Sequence, residues 1–394
     1  MMNKVALIAI GYNKVKSLLR LLESLNRAEY EGDEVPLIIS MDYSGSDDVK
    51  KAAEAFEWSH GTKIIRAFSE RQGLKKHILS CGDYLEEYDA VFVFEDDLMV
   101  SPYFYKFGKK CINYYGKNEE IEGISLYSPK WNQNANFPFE PLKKEHDTYF
   151  MQYAQSWGQI WLKKSWKEFK KWYECNTDFF AKEKNPHIPA VLYTWGENSW
   201  LKYHIVYCAL KKRYFVYPYS SFTTVFVENG THFGTDITRF HTELMVCDIN
   251  HYRLAPFGEE ASFYDSCFEN EQTAQYLEES YRQVTMDLYG CRNQSLNTKY
   301  LLSTNALPFR IEKEFGLQLH PIELNISMKL EGKGIYLYDT SVEERRKKKD
   351  YSRQIVRKWD YFMRDRFLMW NEILPLCRQK ISNLFHIALR ALKH

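Results

Sequence analysis

The sequence predicts an α/β protein with a mainly parallel sheet and a helical C-terminal extension. Short apolar runs alternate with helical segments over the first hundred residues, the runs end in polar groups, and one such end is Glu95-Asp96-Asp97. A β-α-β-α-β order builds a parallel sheet whose ligands gather at the carboxyl ends of the strands. Residues 5–10 read as the first strand, ending at Gly11-Tyr12-Asn13. The next segment places Leu18, Leu19, Leu21, Leu22 and Leu25 at helical spacing. Residues 35–39 read as a second strand ending at Ser40-Met41-Asp42, and 47–57 as a short helix with Asp47 and Asp48 at its positive N-terminus. Residues 63–65 are a third strand, 74–85 a helix and 91–94 a fourth strand, whose four apolar residues suit burial on both faces.

Three adjacent carboxylates at a strand end are costly to hold unless something positive binds there. A divalent cation carrying a diphosphate answers that need. Asn13 and Asp42 lie at the ends of neighbouring predicted strands, and the coincidence of three polar ends says more than any one of them. A lone Asp after a strand, such as Asp42, is otherwise a turn or cap residue. No GxGxxG follows the first strand and no GxxxxGK[ST] occurs, which disfavours a dinucleotide-binding unit and a P-loop.

With 394 residues, 45% hydrophobic and 27% charged, the chain is long enough for two domains or one large domain with additions. A net charge of +1 gives no reason to expect nucleic acid as a partner. Aromatic residues make up 16%, which fits sugar binding against ring faces and equally an aromatic-rich core. The 8 cysteines include no CxxC pair, so a structural zinc is not expected. The first apolar run is too short for a signal peptide and no run is long enough to span a membrane. The expected compartment is the cytoplasm, where thiols stay reduced and the Asn229-Gly230-Thr231 sequon is no glycosylation site.

The motifs resemble GT-A glycosyltransferases, a Rossmann-like fold, and within them the N-acetylglucosaminyltransferase I type and bacterial family-2-like transferases of surface-polysaccharide clusters. The carriers are residues 6–13, Ile38-Ile39-Ser40-Met41-Asp42, and the acidic triplet with Leu98 and Pro102-Tyr103-Phe104. The likeness continues through 155–161, 195–200, Tyr217-Pro218 and 230–233, and it covers roughly residues 4 to 240. It implies a nucleotide-sugar half (1–125) and an acceptor half (126–250); beyond it the sequence reads as an extension (251–340) and a helical basic amphipathic tail (341–394). It also implies that Asp42 meets the base edge, that Glu95 and Asp96 face the sugar and ribose, and that Asp97 holds Mn²⁺ or Mg²⁺. Gly11, Asn13 and Gly73 would flank the donor, favoured as a UDP-sugar, with Lys76 or His77 as further contacts or plain helix-surface charge. The implied activity is inverting transfer of a hexosyl or N-acetylhexosaminyl group to a saccharide or lipid-linked saccharide.

An inverting transferase needs a base on the acceptor side. The resemblance places that acid beside a Trp in Trp195-Gly196-Glu197-Asn198-Ser199-Trp200, but Ser199 and Leu201 flank Trp200, leaving Glu197 as the expected base. Glu197 is otherwise a helix N-terminal acid, and Asp178 is a weaker alternative. Trp157, Gly158 and Trp161 match the stretch beneath the acceptor, Gly158 allowing close backbone approach, while a packed core accounts for Trp161 and Trp166. The Gly-rich segment 228–235 would fold over the diphosphate, with His232 on phosphate or metal. Residues 376–394 lack acids and repeat apolar residues at helical spacing, which suits an anionic membrane surface or packing on its own domain or a partner subunit. Rival readings are a sugar-1-phosphate nucleotidyltransferase, whose Gly-rich basic loop Gly11-Tyr12-Asn13-Lys14 does not supply, and a non-catalytic saccharide-binding protein.

Overall fold

The computed structural model describes residues 4–182, 184–226, 238–292, 298–345 and 347–363. His232, the rest of 228–235 and the tail 376–394 lie outside the described residues. In chain order the elements begin β1 (Val5–Gly11), α1 (Val15–Asn26), β2 (Leu37–Met41), α2 (Asp48–Ala55), β3 (Lys63–Ala67), α3 (Leu74–Cys81) and β4 (Ala90–Glu95). The helix expected over 74–85 is thus split, its end from Gly82 to Glu86 being a tighter 3₁₀ turn. Next come β5 (Leu98–Val100), α4 (Phe104–Tyr115), β6 (Ile121–Ser125), β7 (Trp131–Asn132), β8 (Phe137–Pro138), β9 (Thr148–Met151) and β10 (Gln159–Leu162). Then follow α5 (Lys163–Glu174), α6 (Leu201–Lys211), β11 (Tyr214–Pro218), β12 (Thr223–Val225) and β13 (Phe263–Tyr264).

Nine of these strands form one sheet in the order β13-β9-β11-β6-β10-β4-β1-β2-β3. Strands β3, β2, β1, β4, β6 and β11 run one way, and β10, β9 and β13 run against them. The α/β class and mainly parallel sheet read from the sequence are present. Alternation along the strands sends Leu7, Ala9, Leu37, Phe92 and Phe94 to the face covered by α1, α2 and α4. Ala6, Ile8, Ile38, Val91 and Val93 go to the other face, under α3, α5 and α6. Trp161 and Trp166 stack there at 3.8 Å, both buried, as a core pair.

The extension differs from the expected helical one. It holds a second sheet of β14 (Val284–Asp287), β15 (Tyr300–Ser303), β16 (Phe309–Phe315) and β17 (Ile335–Glu343), ordered β14-β15-β17-β16. The short α7 (Leu324–Ser327) precedes β17, and α8 (Lys348–Met363) follows it. The reason is pairing at a distance, β15 on β17, which local spacing does not display. A single buried cluster joins Tyr149, Ile205 and Tyr217 to Tyr264, Leu302, Leu337 and Phe362, so packing runs across the expected boundary at 250.

Candidate functional site

Strand order fixes where the polar ends meet. β1 lies between β2 and β4, pairing Gly11 with Met41 and Ile10 with Glu95. Asn13, Asp42 and the acidic triplet therefore line one end of the sheet. The chain leaves β1 toward β2 on one side and returns as β4 on the other, which makes a crevice at the topological switch point, the favoured ligand position in such sheets. Asp42 N–H donates to the Gly11 carbonyl at 3.1 Å, closing the gap between the first two ends.

Glu95 continues the Val91–Val93 side of β4, where the nearby Ser156 favours its charged form. Burial, then the charges of Asp97 and Asp96, push the Glu95 carboxyl well above the ordinary range. Asp97 is pushed up to about 7 by burial and by Asp96, against the opposing charges of Lys14 and Arg20. Asp97 Oδ1 is enclosed yet has no hydrogen-bond partner among the described residues. An enclosed carboxylate oxygen left without a donor fits a hard cation, and the pair of raised carboxyls shows the strain the triplet carries alone. Asp97 would hold the ion. Among the described residues, Glu145, His146 and Glu260 also bring three ligating atoms within 4.8 Å of one another, separately from the triplet.

The Asp97 carbonyl accepts from Phe226 N–H at 2.7 Å, the last rung of the β12–β5 pair. The Arg20 guanidinium lies 4.0 Å over the Phe226 ring. Gly158, at φ +88°, sits where a Cβ would come within 2.6 Å of Thr223 Cγ2, and the Thr223 hydroxyl donates to the Trp157 carbonyl at 2.6 Å. Glycine is required there for conformation and for space. It brings the β9–β10 connection against β12, and so against the triplet.

Asp42 is buried, and its carboxylate accepts from Tyr43 N–H (2.9 Å), Gln72 N–H (2.7 Å) and Gly73 N–H (2.9 Å). Its observed work is to fasten the loop before α3 to the end of β2. Gly73, at φ +78°, caps α3 in open space, and Arg71 reaches to 5.6 Å over the Tyr12 ring of the β1–α1 turn. Asn13 is exposed on that turn. His77 is neither a donor contact nor surface charge. It is buried against Ser40, Nε2 to Oγ 2.7 Å, and burial with the nearby Arg66 holds it down to about 4.

Glu197 is exposed just before α6. Since β11 starts level with the start of β6, the preceding α6 points its N-terminus toward the carboxyl end of the sheet, the end that carries the triplet. Glu197 there interacts with the charge of Lys202 and with Tyr203, over whose ring Lys75 of α3 sits at 5.3 Å. Asp178, the weaker candidate, pairs with Lys182 at 2.8 Å. Sequence reading missed Ser156, Lys14 and Arg20. Lys14 had a signal, its place in the first βα turn, and Ser156 lay in the 155–161 stretch of the resemblance, although local spacing does not display its nearness to Glu95.

No known family and no curated protein matches the sequence. Solved structures do. The mannosyltransferase PcManGT from Pyrobaculum calidifontis, in complex with GDP-Man and Mn²⁺, is 10% identical over 43% of this chain and 46% of its own, with a TM-score of 0.31. S. aureus TarS 1–349 in complex with UDP-GlcNAc is 15% identical over 42% and 47%, with a TM-score of 0.32. GalNAc-T7 with UDP, GalNAc and Mn²⁺ is 13% identical over 55% and 42%, with a TM-score of 0.38. The chain spans less than half the length of each.

Proposed function

We propose that this chain is a metal-dependent, inverting glycosyltransferase that moves a hexosyl or N-acetylhexosaminyl group from a nucleotide-sugar, favoured as UDP-linked, to a saccharide or lipid-linked saccharide in surface-polysaccharide assembly. The observation that carries the reading is the enclosed Asp97 Oδ1, without a hydrogen-bond partner among the described residues, within three carboxylates at the switch-point crevice. Asp97 would hold Mn²⁺ or Mg²⁺, which when bound offsets charge on the leaving nucleoside diphosphate. Lys14 and Arg20 already oppose the charge of Asp97 and supply positive potential beside the same crevice. Asp42 and Gly73 set the loop that flanks the donor base, Gly11 and Asn13 lie beside them at the end of β1, and Glu95 and Asp96 meet the donor sugar. His232 would contact phosphate. Glu197 takes the proton from the acceptor hydroxyl as it attacks.

The reading also puts the enzyme in the cytoplasm, peripheral on the membrane through residues 376–394. Among the described residues no helix is long and apolar enough to cross a membrane. Deleting 376–394 should then reduce liposome binding.

A donor screen scoring nucleoside diphosphate release with Mn²⁺ tests the core of the proposal. Asp97→Ala should lower release by at least about a hundredfold. Glu197→Gln should lower transfer by about 10²–10⁴-fold while donor binding persists. Transfer at the wild-type rate in Glu197→Gln removes that residue from the mechanism. Donor binding without transfer in the wild type, under every acceptor, favours the saccharide-binding reading instead.

A further inference from the structure

α8 packs one face and leaves the other open. Gln354, Tyr361 and Phe362 are buried, with Gln354 donating to the Thr304 carbonyl at 2.9 Å and the Tyr361 hydroxyl to the Leu319 carbonyl at 2.7 Å. At 3.6 residues per turn, Ile355, Trp359 and Val356 form a neighbouring stripe that runs from beside Phe362 round to the outer side. They are 64%, 58% and 53% exposed. Large apolar side chains left open on one helical stripe are unusual for a surface that meets only water. Lys348 and Lys349 are exposed on the same side, and Lys349, Arg353, Val356, Arg357 and the single acid Asp360 line a trough of about 620 Å³ along the flank.

Charge selects the occupant. Residues 345–363 carry eight Lys and Arg against Asp350 and Asp360; Lys358 turns inward to the Tyr289 carbonyl and Asn305, and Arg353 pairs with Asp350, which leaves the outer side positive through the others. A second copy of this chain would bring the same positive helix, and like charges face to face repel. The residues beyond α8 are themselves basic, with Arg364, Arg366, Arg378, Lys380, Arg390 and Lys393 against Asp365 and Glu372, so they do not complement it either. An anionic bilayer complements both features. Its interface takes Trp and aliphatic side chains at the acyl boundary, and its headgroups attract Lys and Arg.

We propose that the outward face of α8, through Ile355, Val356 and Trp359 with Lys348, Lys349, Arg353 and Arg357, docks on an anionic lipid surface. This stands apart from the transferase reading and from residues 376–394. It places the second sheet, against which α8 packs, as the module nearest the lipid.

Sedimentation of the full chain with phosphatidylcholine vesicles, with and without phosphatidylglycerol, tests the proposal. Binding should require phosphatidylglycerol and weaken as salt is raised. The full-length Ile355→Ser/Val356→Ser/Trp359→Ser variant should bind about tenfold less. Lys348→Glu/Lys349→Glu, at exposed positions, carries the same test should the triple variant fail to fold, and should also bind about tenfold less. Amides of 348–363 should exchange more slowly on phosphatidylglycerol vesicles. Undiminished binding by folded variants, equal binding to phosphatidylcholine alone, or no binding by the wild type overturns the proposal.

Discussion

At the scale of single residues the site is a problem in proton placement. Asp97, ordinarily near 3.8, is pushed up to about 7. Below about pH 4 the folded and unfolded forms are both protonated there. Between about 4 and 7 the unfolded chain releases the proton while the folded chain keeps it, so this group lowers stability as pH rises through that window, by up to about 4 kcal/mol, and is level above it. Asp97→Asn should flatten that part of the metal-free melting curve, and Mn²⁺ should raise the wild-type Tm more at pH 8 than at pH 5. His77 works in the other direction. It is held down from 6.5 to about 4, so its contribution falls as pH drops from about 6.5 toward 4, by about 3 kcal/mol. His77→Gln should remove that acid sensitivity, as read by urea denaturation at pH 7 and pH 4.5. The acidic triplet was legible because carboxylates following an apolar strand have few structural uses. The burial of His77 was not, since the Ser40 that receives it lies on another element.

Elements gather the site by register and by one close approach. Helix α1 was readable from its leucines, of which Leu18, Leu21, Leu22 and Leu25 are buried. The split of the 74–85 helix at Gly82 and the second sheet were not, because both depend on neighbours distant in sequence. Gly158 is the tightest of these joints. Gly158→Ala would set a Cβ 2.6 Å from Thr223 and force a side chain onto φ +88°. The expected cost is about 1–3 kcal/mol in chemical denaturation. Adding Thr223→Ser should relieve the contact with Cγ2 and leave the conformational part. If Gly158→Ala is neutral, β12 does not lean on the β9–β10 connection as described.

For the whole molecule, the informative fact is the buried cluster shared by the main sheet and the C-terminal part. Tyr264 belongs to the nine-stranded sheet, and its hydroxyl donates at 2.9 Å to Glu323, which burial pushes up to about 7. Calorimetry should therefore show one cooperative transition rather than separate melting of 4–250 and 251–363. Two resolved transitions would contradict the shared core. The sequence suggested a boundary at 250 because the polar, chemistry-bearing positions thin out there, while the apolar residues that bridge it carry no signal of which partner they meet. The bridge also bears on descent. A recombination joint at 250 would set Tyr264 and Phe268 of one parent against Phe139, Tyr149 and Tyr153 of another. A chimera joined at 250 should therefore lose stability unless the ring-packed half that receives the extension comes from the same parent.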